Sequence, residues 1–293
     1  MVKDHEKFEQ LLRENSHLFN KEEILKGVSF YQLALQEQQE AIIHIASIYR
    51  KMEHYEQSVY WLKKGVDLGN STAQYELANY LIEGLGVEED EAKAFHLYKL
   101  AAEQGHADAA NNLADMYLNG ESVDVNEEEA LRWFTIAADK NVVEAMFTLG
   151  IMYEQGIGNG IDEEKAFEYY KRSAEGDYGD ALFRLGTIYL EGLLNQQKDV
   201  RKAINYFEKA AKGHHVDSIY NLGFLYESGL GVPRNGKKAL HFYKQAALLG
   251  DYQAKLNIAY IYENGIDIEK NKKEAARWRN AAMRQMNGID QDF

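Results

Sequence analysis

The chain has 293 residues, 45% hydrophobic and 27% charged, a balance that excludes a disordered polypeptide and suits a large core or a linear array. It has no cysteine, which excludes disulfides and thiolate metal sites, and a single proline, which leaves helices uninterrupted. The formal charge of -14 disfavours nucleic acid and anionic membrane as partners and favours a basic one.

The opening stretch, MVKDHEKFEQ, is charged and lacks the apolar core of a signal segment, and no apolar run in the chain approaches membrane-spanning length. A soluble, cytoplasmic protein is expected. Residues 1–36 carry two helical patterns, around 3–14 and 21–36, which predict an N-terminal helical cap. Residues 37–70 contain AIIHIASIYRKMEHYEQSVYWLKKGVDLG at 41–69, two amphipathic patterns joined by a short turn.

From residue 71 a unit repeats. NLADMYLNG at 112–120 returns as TLGIMYEQG at 148–156, RLGTIYLEG at 184–192, NLGFLYESG at 221–229 and NIAYIYENG at 257–265, after a weaker copy, ELANYLIEG, at 76–84. The closing glycines, Gly84, Gly120, Gly156, Gly192, Gly229 and Gly265, are 36, 36, 36, 37 and 36 residues apart. A fixed period of this length marks a solenoid. Each unit reads as two helices. In the first, Ala109, Leu113, Ala114 and Tyr117 share one face, and Gly150, Gly186 and Gly223 later take the place of Ala114. Glycine inside a helix costs roughly 0.5–1 kcal/mol against alanine, so its recurrence predicts a helix crossing with no room for a side chain. In the second helix, Ala130, Trp133, Phe134, Ala137 and Ala138 form one buried stripe. The closing glycine ends the first helix.

The pattern Ala-x-x-x-Leu-Gly-x-x-Tyr-x-x-Gly followed by Lys-Ala-x-x-x-Tyr-x-x-Ala-Ala resembles the Sel-one-like repeat, a relative of the tetratricopeptide repeat; GLGVPRNGKKALHFYKQAALLGD at 229–251 is its best copy. The resemblance covers residues 71–287 as six repeats. The unit at 37–70 is closer to the plain tetratricopeptide form, because Ala41 to Ser58 is 17 residues where Ala73 to Ala94 is 21. Residues 288–293 are left as a tail. The resemblance implies an all-α, right-handed α-α superhelix with the first helix of each pair lining a concave surface. It also implies scaffold or adaptor function without catalysis.

No constellation of residues points to chemistry. His214–His215 falls in a turn with no ligand at i+4 on a shared helix face, and GIGNGIDEEK at 156–165 lacks the Lys-Ser/Thr of a phosphate loop. No enzyme activity, metal or cofactor is expected.

The resemblance also places a binding face. With Ala109 counted as position 3 of its helix, positions 2, 5, 9, 12 and 13 centre on the side opposite the buried stripe. Tetratricopeptide relatives bind ligands there. Across six repeats these are thirty residues, ten acidic and none Lys or Arg, although Lys and Arg make up 33 of 293 residues. The expected contact residues are Tyr75, Asp115, Phe147, Ile151, Glu154, Phe183, Thr187, Glu191, Tyr220, Phe224, Glu227, Tyr260 and Glu263. Acids in the first turn, such as Asp180 and Asp217, also suit the helix dipole, whereas Glu154, Glu191, Glu227 and Glu263 lie near helix C-termini, where the dipole opposes them. Some of the aromatics have a second reading, as packing on the next repeat. A basic edge, Arg201, Lys202, Lys237, Lys238, Lys272 and Lys273, begins the later second helices; on a solvated face it needs no function. The expected function is a non-catalytic protein-protein interaction scaffold whose acidic, aromatic groove takes a basic, partly apolar partner. A narrower alternative is an antagonist, such as a bacterial cytoplasmic immunity protein neutralising a toxin. An enzyme or small-molecule binder is the least favoured.

Overall fold

The computed structural model describes residues 2–288. Within them the chain forms sixteen α-helices and no strand. The first four are α1 (Val2–Glu14), α2 (Lys21–Ala34), α3 (Gln39–Lys51) and α4 (Tyr55–Asp67). Six pairs follow: α5 (Ser71–Glu83) with α6 (Glu91–Glu103), α7 (Ala107–Asn119) with α8 (Glu127–Asp139), α9 (Val143–Gln155) with α10 (Glu163–Glu175), α11 (Gly179–Glu191) with α12 (Val200–Lys212), α13 (Val216–Ser228) with α14 (Gly236–Leu248), and α15 (Tyr252–Asn264) with α16 (Lys272–Met286). The chain divides into two compact units, the division falling inside α9 between Ala145 and Met146. In the first unit α3 packs on α4, α5 on α6 and α7 on α8, and each pair packs on the next through α4·α5 and α6·α7. The second unit repeats the scheme with α11·α12, α13·α14 and α15·α16, joined by α12·α13 and α14·α15. Each unit is thus a stack of helix-turn-helix repeats.

The recurring residues have recurring tasks. Gly84, Gly120, Gly192, Gly229 and Gly265 each cap a first helix in the left-handed conformation, φ 65 to 77°. Each donates its N–H to the carbonyl four residues back from a backbone conformation that a Cβ disfavours. The second helices start on Asp90, Asn126, Asp162, Asp199, Asn235 and Asn271, whose side chains accept from the N–H three residues on. Each cap contributes about 1 kcal/mol. The backbone N–H of the same capping residue reaches back to the first helix: Asn235 donates to the Tyr226 carbonyl at 2.7 Å and Asn271 to that of Tyr262 at 2.8 Å. An Asp or Asn at one place therefore starts a helix and ties the hairpin shut.

The inter-helix loops also rest on the repeat before. The Ser122 hydroxyl donates to Glu91 at 3.0 Å, and Asp267 accepts from the N–H of Gly236 at 3.1 Å. A Cβ on Gly86 would stand 2.5 Å from the backbone of Tyr55. The loop of one repeat thus seats on the start of the preceding second helix.

The crossing expected at the mid-helix glycines is present. A Cβ on Gly150, Gly186 or Gly223 would lie 2.4–2.7 Å from the ring of Tyr170, Phe207 or Tyr243. All three rings are essentially inaccessible to solvent. Ala78, Ala114 and Ala259 hold the same place in the other repeats and are equally buried, so those crossings admit one methyl group.

Candidate protein-binding surface

The first-helix face is half committed to the fold. Position 12 runs Ile82, Leu118, Glu154, Leu190, Glu227, Glu263, and the facing residue of the second helix runs Tyr98, Phe134, Tyr170, Phe207, Tyr243, Arg279. The two series vary together. Where the ring carries a hydroxyl, Glu154 and Glu227 accept it: Tyr170 donates to Glu154 Oε2 at 2.7 Å and Tyr243 to Glu227 Oε2 at 2.7 Å. Where the ring is phenylalanine, position 12 is leucine. Where the ring is replaced by Arg279, its guanidinium pairs with Glu263. Tyr98 faces Ile82 and donates instead to Asn79 at 2.6 Å. Glu154 gains a second partner from the next repeat, the guanidinium of Arg184. A charge-assisted hydrogen bond contributes roughly 1.5–3 kcal/mol, which outweighs the 0.3–1 kcal/mol an acid loses at a helix C-terminus. The tyrosine hydroxyls therefore account for Glu154 and Glu227 where the dipole alone would oppose them, whereas the Glu263–Arg279 pair is exposed and contributes little. Burial raises the Tyr170 and Tyr243 hydroxyls far above their ordinary range, and the neighbouring carboxylates raise them further, so both remain donors.

Glu191 is different. In α11 position 12 is Leu190, facing the hydroxyl-free ring of Phe207, and the glutamate stands one place further on, at position 13. Its side chain is exposed and has no partner among the described residues.

The aromatics of position 5 pack between repeats. Tyr75 stacks on His106, ring centroids 4.5 Å apart, and Phe183 on His215 at 5.0 Å. Phe147 lies 5.4 Å from Tyr178, and Tyr220 accepts from the Asn257 amide at 3.1 Å. Each ring leans on the start of the next first helix or on that helix itself and is only half exposed. His106 and His215 are N-caps: Nδ1 accepts from the N–H of Ala109 or Ser218 at 3.3 Å, and His215 Nε2 meets Asp180 at 3.1 Å. Burial lowers the pKa of His106, in keeping with the neutral ring that an acceptor Nδ1 requires. His215, read in the sequence as a turn residue, is thus a capping residue.

Position 9 gives the face its accessible character. It runs Asn79, Asp115, Ile151, Thr187, Phe224, Tyr260. Ile151 and Thr187 are half-buried, and the Thr187 hydroxyl donates to the carbonyl of Phe183 at 3.2 Å. Phe224 is 45% exposed and Tyr260 53% exposed, both large for apolar rings. Asp115 is half-buried beside Asn111, whose amide donates to it at 3.2 Å. Burial, and the charge of Glu121, push its pKa up to about 6.

On the other side of the repeats, the basic edge divides. Lys202 and Lys238 lie 4.9 and 4.7 Å from the ring centroids of Tyr189 and Tyr226, as Lys165 lies 4.9 Å from Tyr153. Those lysines cover stacked ring pairs: Tyr153–Tyr169, Tyr189–Tyr206 and Tyr226–Phe242. Arg201, Lys237, Lys272 and Lys273 are exposed and without such a contact. Among the described residues no group of His, Asp or Glu side chains is placed to hold a metal ion, and no helix is long and apolar enough to cross a membrane.

The Sel1 repeat model matches residues 55–70, 71–106, 107–142, 143–178, 179–215, 216–251 and 253–282. Among solved structures the chain is similar to c5321, a protective antigen of uropathogenic Escherichia coli strains with an SLR fold: identity is 26%, the TM-score 0.82, and the match covers 88% of this chain and 56% of that one. This chain therefore spans little more than half the length of that relative. A Sel1 repeat protein from Oxalobacter formigenes is 30% identical, with a TM-score of 0.71 over 82% of this chain and 96% of that one. No curated protein matches the chain.

Proposed function

The chain belongs to the Sel1 repeat family, whose members are generally protein-interaction scaffolds, and from that premise we propose that it is a non-catalytic scaffold whose first-helix face in the second unit takes a basic, partly apolar partner. The observation that carries this reading is the exposure of Phe224 and Tyr260, 45% and 53%, at the same position of consecutive repeats. Core packing accounts for the other rings of this face but not for these two. Exposed rings of this size are enriched at interfaces as anchors. The free carboxylates of Glu191 and Asp217 supply charge for a basic partner; Glu154 and Glu227 act behind them by holding Tyr170 and Tyr243 in place. A single dedicated partner, such as a toxin, is the narrow form of the same reading.

The test is capture of partners from the native organism with the wild-type chain and with Phe224→Ala/Tyr260→Ala. A basic protein retained by the first and lost by the second supports the reading. A partner retained equally by both places the contact elsewhere.

A further inference from the structure

The first unit carries an open aromatic pocket of its own. Residues near the C-terminal ends of α2 and α3 and on the first turns of α4 border an open pocket of about 510 Å³, lined by Tyr31, Tyr49, Tyr60, Trp61, Glu56 and Gln57, with Leu35 at one side. Its rings are set by their neighbours before anything binds. Tyr31 stacks on Phe8 at 4.4 Å and meets Trp61 edge-on at 5.6 Å; Tyr60 meets Trp61 edge-on at 5.5 Å. Tyr60 is 55% exposed although it is part of this packed array. Glu56 is exposed and has no ion pair or side-chain hydrogen bond among the described residues.

The lining selects a ligand class. The exposed ring of Tyr60, backed by the buried rings of Tyr49 and Trp61, and an unpaired carboxylate together favour a cation. That these rings attract one is visible beside the pocket, where Lys64 Nζ, which does not line it, lies 5.1 and 5.2 Å from the Tyr60 and Trp61 centroids. The tyrosine hydroxyls, the Glu56 carboxylate and the Gln57 carbonyl are acceptors, which a quaternary ammonium cannot use because it has no N–H. A guanidinium can lie flat on a ring and send its N–H groups to carboxylate and amide. The volume exceeds what one side chain fills and leaves room for the peptide that carries it.

We propose that this pocket receives an arginine side chain of a protein partner. The proposal rests on the reading of the chain as a protein-binding scaffold but not on the Phe224–Tyr260 face.

The test needs no partner. N-acetyl-arginine amide is titrated into the full chain while the indole N–H of Trp61, assigned through Trp61→Phe, is followed by NMR. A saturable shift is expected. Glu56→Gln weakens binding about tenfold, the loss of one charge-assisted hydrogen bond. Tyr60→Ala weakens it as well; both positions are exposed, so the fold tolerates the changes. Phe224→Ala leaves the affinity unchanged, which separates this site from the first-helix face. No saturable shift, unaltered affinity in Glu56→Gln, loss of binding in Phe224→Ala, or tetramethylammonium binding as tightly as the arginine amide would each overturn the proposal.

Discussion

The pairing of Glu227 with Tyr243 is a local bargain that can be tested by breaking and remaking it. Tyr243→Phe removes the hydroxyl and leaves a half-buried carboxylate without its donor. A loss of about 1–2 kcal/mol in denaturant unfolding is expected. Glu227→Leu in that background recreates the Leu118–Phe134 pair of another repeat and should recover most of the loss, so a double-mutant cycle yields a coupling of about 1 kcal/mol. Additive effects would show that the contact is incidental. Asp115 offers a test by pH. Its folded-state pKa is raised to about 6 from 3.8, so its contribution is most favourable below pH 4 and is lost as pH rises through about 6. Asp115→Asn should therefore stabilise the chain at pH 7.5 by about 1 kcal/mol, a figure already reduced for the residue's partial exposure, and change little at pH 4. Equal effects at both pH values would count against a desolvated carboxylate.

At the scale of a helix pair, what decides stability is how close the two axes come. Gly186→Leu drives a side chain into the ring of Phe207, which lies where even a Cβ would be 2.4 Å away. Overpacking of this kind costs typically ~1–3 kcal/mol. Gly186→Ala should cost less, because Ala114 and Phe134, both fully buried, hold the same two places in another repeat; equal midpoints for wild type and leucine variant in urea would rule the crossing out. This feature was legible beforehand because it is local. Repeated glycine at a helix-interior site, glycine closing the helix, and Asp or Asn opening the next all lie within one unit of sequence. The task of the glutamates was harder to read. Glu154 looks like a surface acid until it is set beside Tyr170 on the next helix and Arg184 on the one after. The signal was present as Tyr with Glu and Phe with Leu, a covariation between helices that periodicity along one helix does not reveal. Glu191 was grouped with those glutamates although it stands at position 13 of its helix, one place beyond Glu154 and Glu227 in theirs. The aromatic pocket of the first unit gave no sequence signal, because its lining comes from three helices that precede the regular 36-residue period.

For the molecule as a whole, the net charge of -14 and the local contact residues act at different stages of binding. Long-range attraction raises the rate of encounter with a basic partner, and buried contacts set how long the complex lasts. Reversing Glu154 or Glu227 would confuse the two, since each also holds a tyrosine. Glu191 has no such duty, so Glu191→Lys changes charge while leaving packing alone. With the captured partner, this variant should associate several-fold more slowly at low salt. The difference should shrink as salt shortens the Debye length to about 8 Å near 0.15 M. Its dissociation rate and its melting temperature should stay near wild type. Phe224→Ala should do the reverse: association barely altered, dissociation faster by tenfold or more, about 1.4 kcal/mol or more of lost anchoring. Surface plasmon resonance at two ionic strengths separates these outcomes. If Glu191→Lys associates at the wild-type rate at low salt, steering comes from the general charge of the chain and not from this face. If Phe224→Ala dissociates at the wild-type rate, the exposed ring is not an anchor, and Arg201, Lys237, Lys272 and Lys273 on the opposite side become the next residues to replace.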